Sequence, residues 1–199
     1  MVTEGLRERS KARRREAITR AAYTLFAEHG YSATSIADIA DAAEVSPRTV
    51  TLYFRSKQDI AFAHFGDSVG RLTDALKTRT AGTTTLDILG RWLREESSHH
   101  SDLDDLQRRM FQANPELQAL RATRLADTIR EGAVAVAGDT GLTPEAPGPR
   151  ITAAAAMAIM TVLHDTHPEA DRDETISVAL SFLGAGIDTL HSSPKPATP

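Results

Sequence analysis

The chain of 199 residues has no cysteine. That absence excludes disulfide frameworks, thiolate nucleophiles, iron–sulfur clusters and every cysteine-bearing zinc site. Long apolar runs are missing too. The least polar stretch, Ile151 to Leu163, is 13 residues long, too short to span a bilayer. The first 20 residues carry seven Lys/Arg and no apolar segment of the kind a secretory signal needs. The expectation is a soluble, cytoplasmic protein with no membrane partner. No phosphate-binding Walker loop, Gly-x-Ser-x-Gly elbow or GxGxxG turn occurs. The two histidine clusters, His99-His100-Ser101-Asp102 and His164-Asp165-Thr166-His167, do not supply the three or four convergent ligands of a zinc site. Neither a cofactor, a metal nor a catalytic residue is expected, and the chain reads as no enzyme.

What is present is an ordinary globular composition, 41% apolar and 25% charged, enough for a substantial core. Its formal net charge of −4 is unevenly spread. Residues 1–65 hold 10 Lys/Arg against 8 Asp/Glu, and residues 66–199 hold 13 against 19. A mildly basic end on an acidic body suggests that one end meets a polyanion, although a sample this small produces such asymmetry by chance as well.

Almost every segment reads as helix and none as strand. Ile18, Ala21, Ala22, Leu25 and Phe26 form one apolar stripe on a helix of about four turns, closed at Gly30. Thr34 or Ser35 opens a second helix, with Ser35 and Asp38 spaced as a capping box. After a break at Ala43-Glu44-Val45, Ser46 caps a third helix and Pro47 takes its first position, where a missing N–H is harmless. Two short helices across so tight a turn have the spacing of a helix-turn-helix. A fourth helix is expected from Ser56 or Lys57 to about Arg79. Further helices are marked by Leu86–Leu93, Leu103–Phe111 and a long run launched at Asn114-Pro115. Three Gly and three Pro between Gly138 and Pro149 mark a loop. Two last helices follow at about 150–164 and 171–191. The fold class is therefore all-α: an N-terminal arm and helix-turn-helix domain over 1–56, a helical regulatory and dimerisation domain over 57–191, and a disordered tail over 192–199.

A helix-turn-helix lays its second helix in the major groove while the first crosses the backbone. Here the reading helix is Ser46–Tyr53. Arg48 is its one side chain able to fork onto guanine O6 and N7. The hydroxyls of Thr49, Thr51 and Tyr53 suit phosphate oxygens or base edges. Lys57 sits beside helix-terminal N–H groups as a phosphate clamp, and Thr34 and Ser35 hold a similar place on the second helix. Arg7, Arg9, Lys11 and Arg13–Arg15 read equally as a DNA-contacting arm or a solvated helix start.

The run Phe26-Ala-Glu-His-Gly30-Tyr31-Ser-Ala-Thr34-Ser-Ile36-Ala-Asp38-Ile39-Ala40, continued by Val45-Ser46-Pro-Arg-Thr49-Val-Thr-Leu-Tyr53-Phe54-Arg-Ser56-Lys57, resembles the N-terminal signature of tetracycline-repressor-like (TetR-family) regulators. The resemblance covers about residues 14–62. It implies an all-helical homodimeric repressor of a double-stranded DNA operator, with a small-molecule pocket in its C-terminal domain. By position, Thr34, Pro47, Arg48, Thr49, Thr51, Tyr53 and Lys57 fall where the family touches DNA. Two residues depart from the family pattern: Glu44 stands where glycine is usual in the turn, and Thr51 where tyrosine is common.

Beyond residue 66 the resemblance is one of helix order alone. Small residues at Ala153–Ala156, Ala158 and Gly184-Ala185-Gly186, with apolar area from Met157, Ile159, Met160, Val162, Val178, Leu180, Phe182 and Leu183, suggest that the last two helices pair with their symmetry mates; packing within one chain is the alternative. Trp92, Met110, Phe111, Leu120, Leu125 and Ile129 are candidate walls of an effector pocket, with His100, Gln107 and His164 as polar handles. The expected effector is small and apolar or amphipathic. The resulting expectation is a ligand-responsive repressor acting as a dimer on a palindromic operator. The rival is a ligand- or partner-binding module of the same fold that no longer binds DNA, favoured by Glu44 and Thr51.

Overall fold

The computed structural model describes residues 2–98, 101–165 and 172–192. They form α1 (Val2–His29), α2 (Ile36–Ala42), α3 (Pro47–Tyr53), α4 (Lys57–Ala61), α5 (Ala63–Lys77), α6 (Thr85–Ser98), α7 (Asp102–Ala113), α8 (Pro115–Thr140), α9 (Pro147–Asp165) and α10 (Arg172–Ser192). No strand occurs among the described residues.

Contacts divide the chain into two compact units, residues 1–67 with 101–123 and residues 68–100 with 124–199. The division expected at residue 56 falls elsewhere. α4, the start of α5, α7 and the start of α8 join the N-terminal helices, because α7 packs along α1 and contributes Met110 and Phe111 to the same core as Phe26 and Phe62. A pairing of segments so far apart in sequence leaves no mark on local periodicity.

In the first unit, the stripe on α1 buries Ile18, Ala22 and Phe26 completely, together with Tyr23. The Tyr23 hydroxyl accepts from the His64 backbone N–H at 3.2 Å and the Gln107 amide at 3.4 Å. Burial pushes its phenol up to about 12, against the smaller opposing effect of those bonds. α1 is longer than expected and runs back to Val2, so Arg7, Arg9, Lys11, Arg13 and Arg14 lie exposed on a continuing helix. Arg15 is different. It forms an ion pair with Asp67 at 2.5 Å and lies 5.4 Å from the centre of the Phe54 ring. α1 ends where Gly30 takes φ +88°, a conformation that a Cβ opposes. The expected fourth helix is interrupted at Phe62, which closes α4 and is fully buried against Phe65 and Phe111, its ring centres 6.3 and 5.6 Å away.

The second unit is built from the rest of α5, α6, most of α8, α9 and α10, with α10 packed on both α6 and α9. Leu72, Leu76, Ile88, Leu89, Leu93, Met157, Ile176 and Leu183 form its core. Arg79 pairs with Asp139 at 2.5 Å, and Asp139 also accepts the Thr85 N–H at 2.7 Å, which caps the start of α6. The loop expected over Gly138–Pro149 shortens to residues 141–146. Gly138 is helical and faces Arg79, where a Cβ would lie 2.6 Å from the guanidinium. Pro147 and Pro149 sit in the first turn of α9, where no intrahelical N–H is required. Ser192, the first residue of the expected tail, closes α10, and residues 193–199 lie outside the described residues.

Candidate nucleic-acid interface

The helix-turn-helix is built by its caps. Ser35 Oγ accepts the Asp38 N–H at 3.1 Å, and the Asp38 carboxylate accepts the Ser35 N–H at 2.7 Å. This reciprocal pair, led by the backbone bond from Ser35, holds the Asp38 carboxyl below its usual range. Ser46 Oγ accepts the Thr49 N–H at 3.1 Å and starts α3, with Pro47 in its first turn. Between them Glu44 takes φ +54°, the left-handed region in which a residue other than glycine is strained. Val50, wholly buried, pins α3 to the core.

With about 100° between successive residues, anchoring through Val50 turns Arg48 and Leu52 to the opposite side and Thr51 to the flank; these three and Pro47, in the first turn, are exposed. The Arg48 side chain makes no hydrogen bond or ion pair among the described residues, so its guanidinium is available. Thr51 donates its hydroxyl to the Arg48 carbonyl at 3.0 Å, and Ser46 and Thr49 share a hydroxyl contact of 2.9 Å. These hydroxyls are therefore engaged locally, though each keeps acceptor capacity. Tyr53 is half-buried. Ser35 is exposed at the start of α2, whereas Thr34 is buried, its hydroxyl bonded to the Gly30 carbonyl at 2.9 Å.

Lys57 stands in an unexpected setting. Its ammonium donates to the carbonyls of Tyr31 at 2.6 Å and Thr34 at 2.8 Å, and lies 4.3 Å from the Tyr31 ring centre. It braces the turn between α1 and α2 from 23 and 26 residues away. Sequence spacing reveals a cation at a helix start but not which carbonyls reach it. The same turn is held from the other side by buried Asn114. Its Oδ1 accepts the Tyr31 N–H at 2.6 Å, while its Nδ2 donates to the carbonyls of Phe26 at 2.8 Å and Met110 at 2.7 Å.

Leu52 is the residue that sequence reasoning missed. It is 81% exposed on α3, and the signal was available: Val50 and Phe54, one turn apart, define the buried stripe and leave Leu52 outside it.

The residues expected to line an effector pocket fall in both units. Gln107, Met110 and Phe111 are buried in the core of the first unit, with Leu120 packed against it. Trp92, Leu125 and Ile129 pack against the core of the second, where the Trp92 indole N–H donates to the Ser68 carbonyl at 3.2 Å. His100 and the side chain of His164 lie outside the described residues. Within the second unit a narrow cleft, open to solvent on one side, is lined by other residues, among them Leu72, Leu76, Leu89, Val136, Met157 and Leu183, with Thr85, Thr128 and Thr152. No charged residue lines it.

Among the described residues no group of histidines and carboxylates could hold a metal ion, and no helix is long and apolar enough to cross a membrane.

Comparison with known proteins matches residues 18–63 to the family described as "Bacterial regulatory proteins, tetR family", and residues 96–188 to "MftR C-terminal domain". The HTH-type transcriptional regulator TcmR of Streptomyces glaucescens is 36% identical over 85 residues, 43% of this chain but only 38% of that protein's own length. A protein of Mycobacterium tuberculosis named as the mycofactocin biosynthesis transcriptional regulator MftR is 28% identical over 193 residues, covering 87% of this chain and 91% of that one. Among solved structures, Salmonella enterica GusR aligns with a TM-score of 0.60 at 19% identity, over 90% of this chain and 96% of that one. NalD, the secondary repressor of the MexAB-OprM multidrug efflux pump of Pseudomonas aeruginosa, aligns at 0.59 and 22%, over 88% and 96%. The structural likenesses establish the fold.

Proposed function

We infer that the chain, which belongs to the TetR family of bacterial regulatory proteins, is a transcriptional regulator rather than an enzyme. From that premise we propose that it acts in the cytoplasm as a homodimeric repressor, binding a near-palindromic operator and leaving it when a small molecule occupies the second unit. The observation that carries the DNA-binding part is the outward face of α3. Arg48 stands there unpaired among the described residues, on a helix whose cap and buried Val50 fix its orientation. Such a helix fits the major groove, and two copies related by a twofold axis meet half-sites one or more helical turns apart. Pro47, Thr51 and Tyr53 flank Arg48 as contacts, with Ser35 at the start of α2 and Ser46 and Thr49 at the start of α3. Lys57 and Thr34 act by shaping the turn that presents them.

Dimerisation is supported by a surface that water leaves unsatisfied. On α9, Ile151, Ala154, Ala158 and Val162 are exposed along one side, and on α10 Val178, Phe182 and Ala185 are exposed along another. Met157 and Leu183, also considered for this role, are buried in their own unit. Exposed apolar stripes on two packed helices are what a twofold four-helix interface covers. The uncharged cleft beside Met157 suits a neutral, mainly apolar effector that a threonine hydroxyl can orient. Such a ligand shifts the dimer only through unequal affinity for its DNA-competent and incompetent states.

The test is a gel shift on the DNA upstream of the chain's own gene, at moderate salt. A sequence-specific shift is expected, together with a loss of base discrimination worth about 1–3 kcal/mol in Arg48→Ala. Equal loss on all sequences would make Arg48 a phosphate contact. A second reading, a partner-binding module without DNA affinity, is favoured by the exposed carboxylate of Glu44 in the turn and by the engaged Lys57 ammonium. Absence of any specific shift from a folded dimer would select it.

A further inference from the structure

Six large apolar side chains are strongly exposed among the described residues. Five of them, Val134, Ile151, Val162, Val178 and Phe182, belong to the second unit. The sixth is Leu52, the most exposed of all at 81% and the only one in the first unit. It is not a remnant of the core, because Val50 and Phe54 already close α3 against that core. Nor does it belong to an apolar patch. Its exposed neighbours Pro47, Arg48, Thr51 and Arg55 offer no area on which another protein could build an interface.

Arg48 lies one turn before Leu52. The two side chains are about 40° apart around the axis and about 6 Å apart along it, roughly two base-pair steps of a duplex. Leucine has no donor or acceptor, so it can bind neither phosphate oxygens nor the hydrogen-bonding edges of bases. One group in the major groove is apolar, the C5-methyl of thymine. We propose that Leu52 is a specificity-determining residue that packs on a thymine methyl one or two base pairs from the base read by Arg48. This rests on the reading of α3 as the helix that enters the major groove. The half-site then contains a guanine followed closely by an A·T pair, the first fixed by a guanidinium and the second by shape.

The test starts from the wild-type dimer and a random duplex library, from which its operator is selected. Each thymine of the half-site is then replaced in turn by deoxyuridine, which removes the methyl group and nothing else. At one thymine per half-site the replacement is expected to weaken wild-type binding about three- to five-fold, the worth of one buried methyl group. Leu52→Ala is expected to lose that sensitivity while Leu52→Met keeps part of it. Because no phosphate contact is removed, the dependence of binding on salt stays unchanged in both variants. Leu52 is so exposed that neither variant shifts the thermal unfolding curve, which serves as the control for folding. The proposal is overturned if no deoxyuridine position affects the wild type, or if Leu52→Ala weakens thymine and deoxyuridine operators equally. Selection of no preferred sequence at all would remove the groove-reading role of α3, and the assignment of Leu52 with it; that result is distinct from a selected operator indifferent to its methyl groups.

Discussion

In the first unit Ile18, Tyr23, Phe26, Ile39, Val50, Ile60 and Met110 have no exposed surface at all. In the second, the core residues Leu72, Leu76, Ile88, Leu89 and Leu93 each keep a few percent, and five large apolar side chains stand in solvent. The first unit closes on itself, with aromatic rings and a polar bracket drawn from distant segments. The second closes only partly and leaves a cleft on one side and an apolar face on another. A region that must present one helix rigidly benefits from the first design. The roles proposed for the second unit, taking up a ligand and a second copy of the chain, call for the second, since empty space and uncovered surface are what both partners would use. The contrast can be tested by substitutions expected to act on folding in one unit and on association in the other.

The largest effect is expected at Asn114. Replacing it by alanine strands the Tyr31 N–H and the carbonyls of Phe26 and Met110, and buried polar groups without partners cost about 1–3 kcal/mol each. Asn114→Ala should therefore destabilise by about 3 kcal/mol in urea unfolding. Asn114→Asp, which keeps the acceptor but turns a carboxylate toward two carbonyls, should be no better. If Asn114→Ala is silent, the first unit does not depend on its bracket and the proposed contrast fails.

Phe182 provides the counterpart. It is 67% exposed on α10, so Phe182→Ser should leave the fold of the single chain intact. At the centre of a dimer interface, however, an aromatic anchor is worth about 2 kcal/mol or more. Sedimentation equilibrium should find the variant dissociating toward the 21.5 kDa chain at concentrations where the wild type is dimeric. An unchanged association constant would mean that this face is not the interface.

The same contrast explains what could be read from residues alone. The helix-turn-helix was legible because its determinants are local: Ser35 with Asp38, Ser46 with Pro47, and the stripe from Ile18 to Phe26 act within one or two turns, and sequence displays that range directly. Leu52 was visible to the same periodicity but was overlooked by a search for polar contacts. Lys57 and Asn114 were not legible as brackets, because all their partners but Met110 lie 23 to 88 residues away. The pocket residues were chosen for being apolar and helical, a criterion that Met110 and Phe111 of one core meet as well as Leu125 and Ile129 beside the other. Only the packing of α7 on α1 separates them.

A smaller effect tests another long-range link in the first unit. Asp104 of α7 lies 2.7 Å from His64 Nε2 and accepts the Ser101 N–H and hydroxyl at 2.8 and 2.7 Å. Partial burial pushes its carboxyl pKa up, but the bonds from His64 and Ser101 outweigh this and hold it well below the usual carboxylate range. A carboxyl depressed on folding stabilises the protein fully above its unfolded value of about 4, and that stabilisation drains away as pH falls through the lower folded value. Asp104→Asn should thus cost about 1 kcal/mol at pH 7. The gap from wild type should narrow progressively below about pH 4. A gap that stays constant into acid would show that the charge of Asp104 contributes nothing.

The smallest effect is a gain. Gly30 and Glu44 both hold the left-handed conformation, at φ +88° and +54°, one with the residue suited to it and one without. For a residue with a Cβ that conformation costs about 1–2 kcal/mol. Glycine relieves this but loses about 0.5–1 kcal/mol through its greater freedom when unfolded. Glu44→Gly should therefore stabilise the protein by about 0.5 kcal/mol, a small rise in melting temperature. Glu44→Ala separates backbone from charge: it removes the carboxylate but keeps the Cβ, so it should gain no stability. If both variants bind operator DNA more tightly by the same factor, the carboxylate was repelling phosphate. If only the glycine variant does, the strained turn was misplacing α3 in the groove.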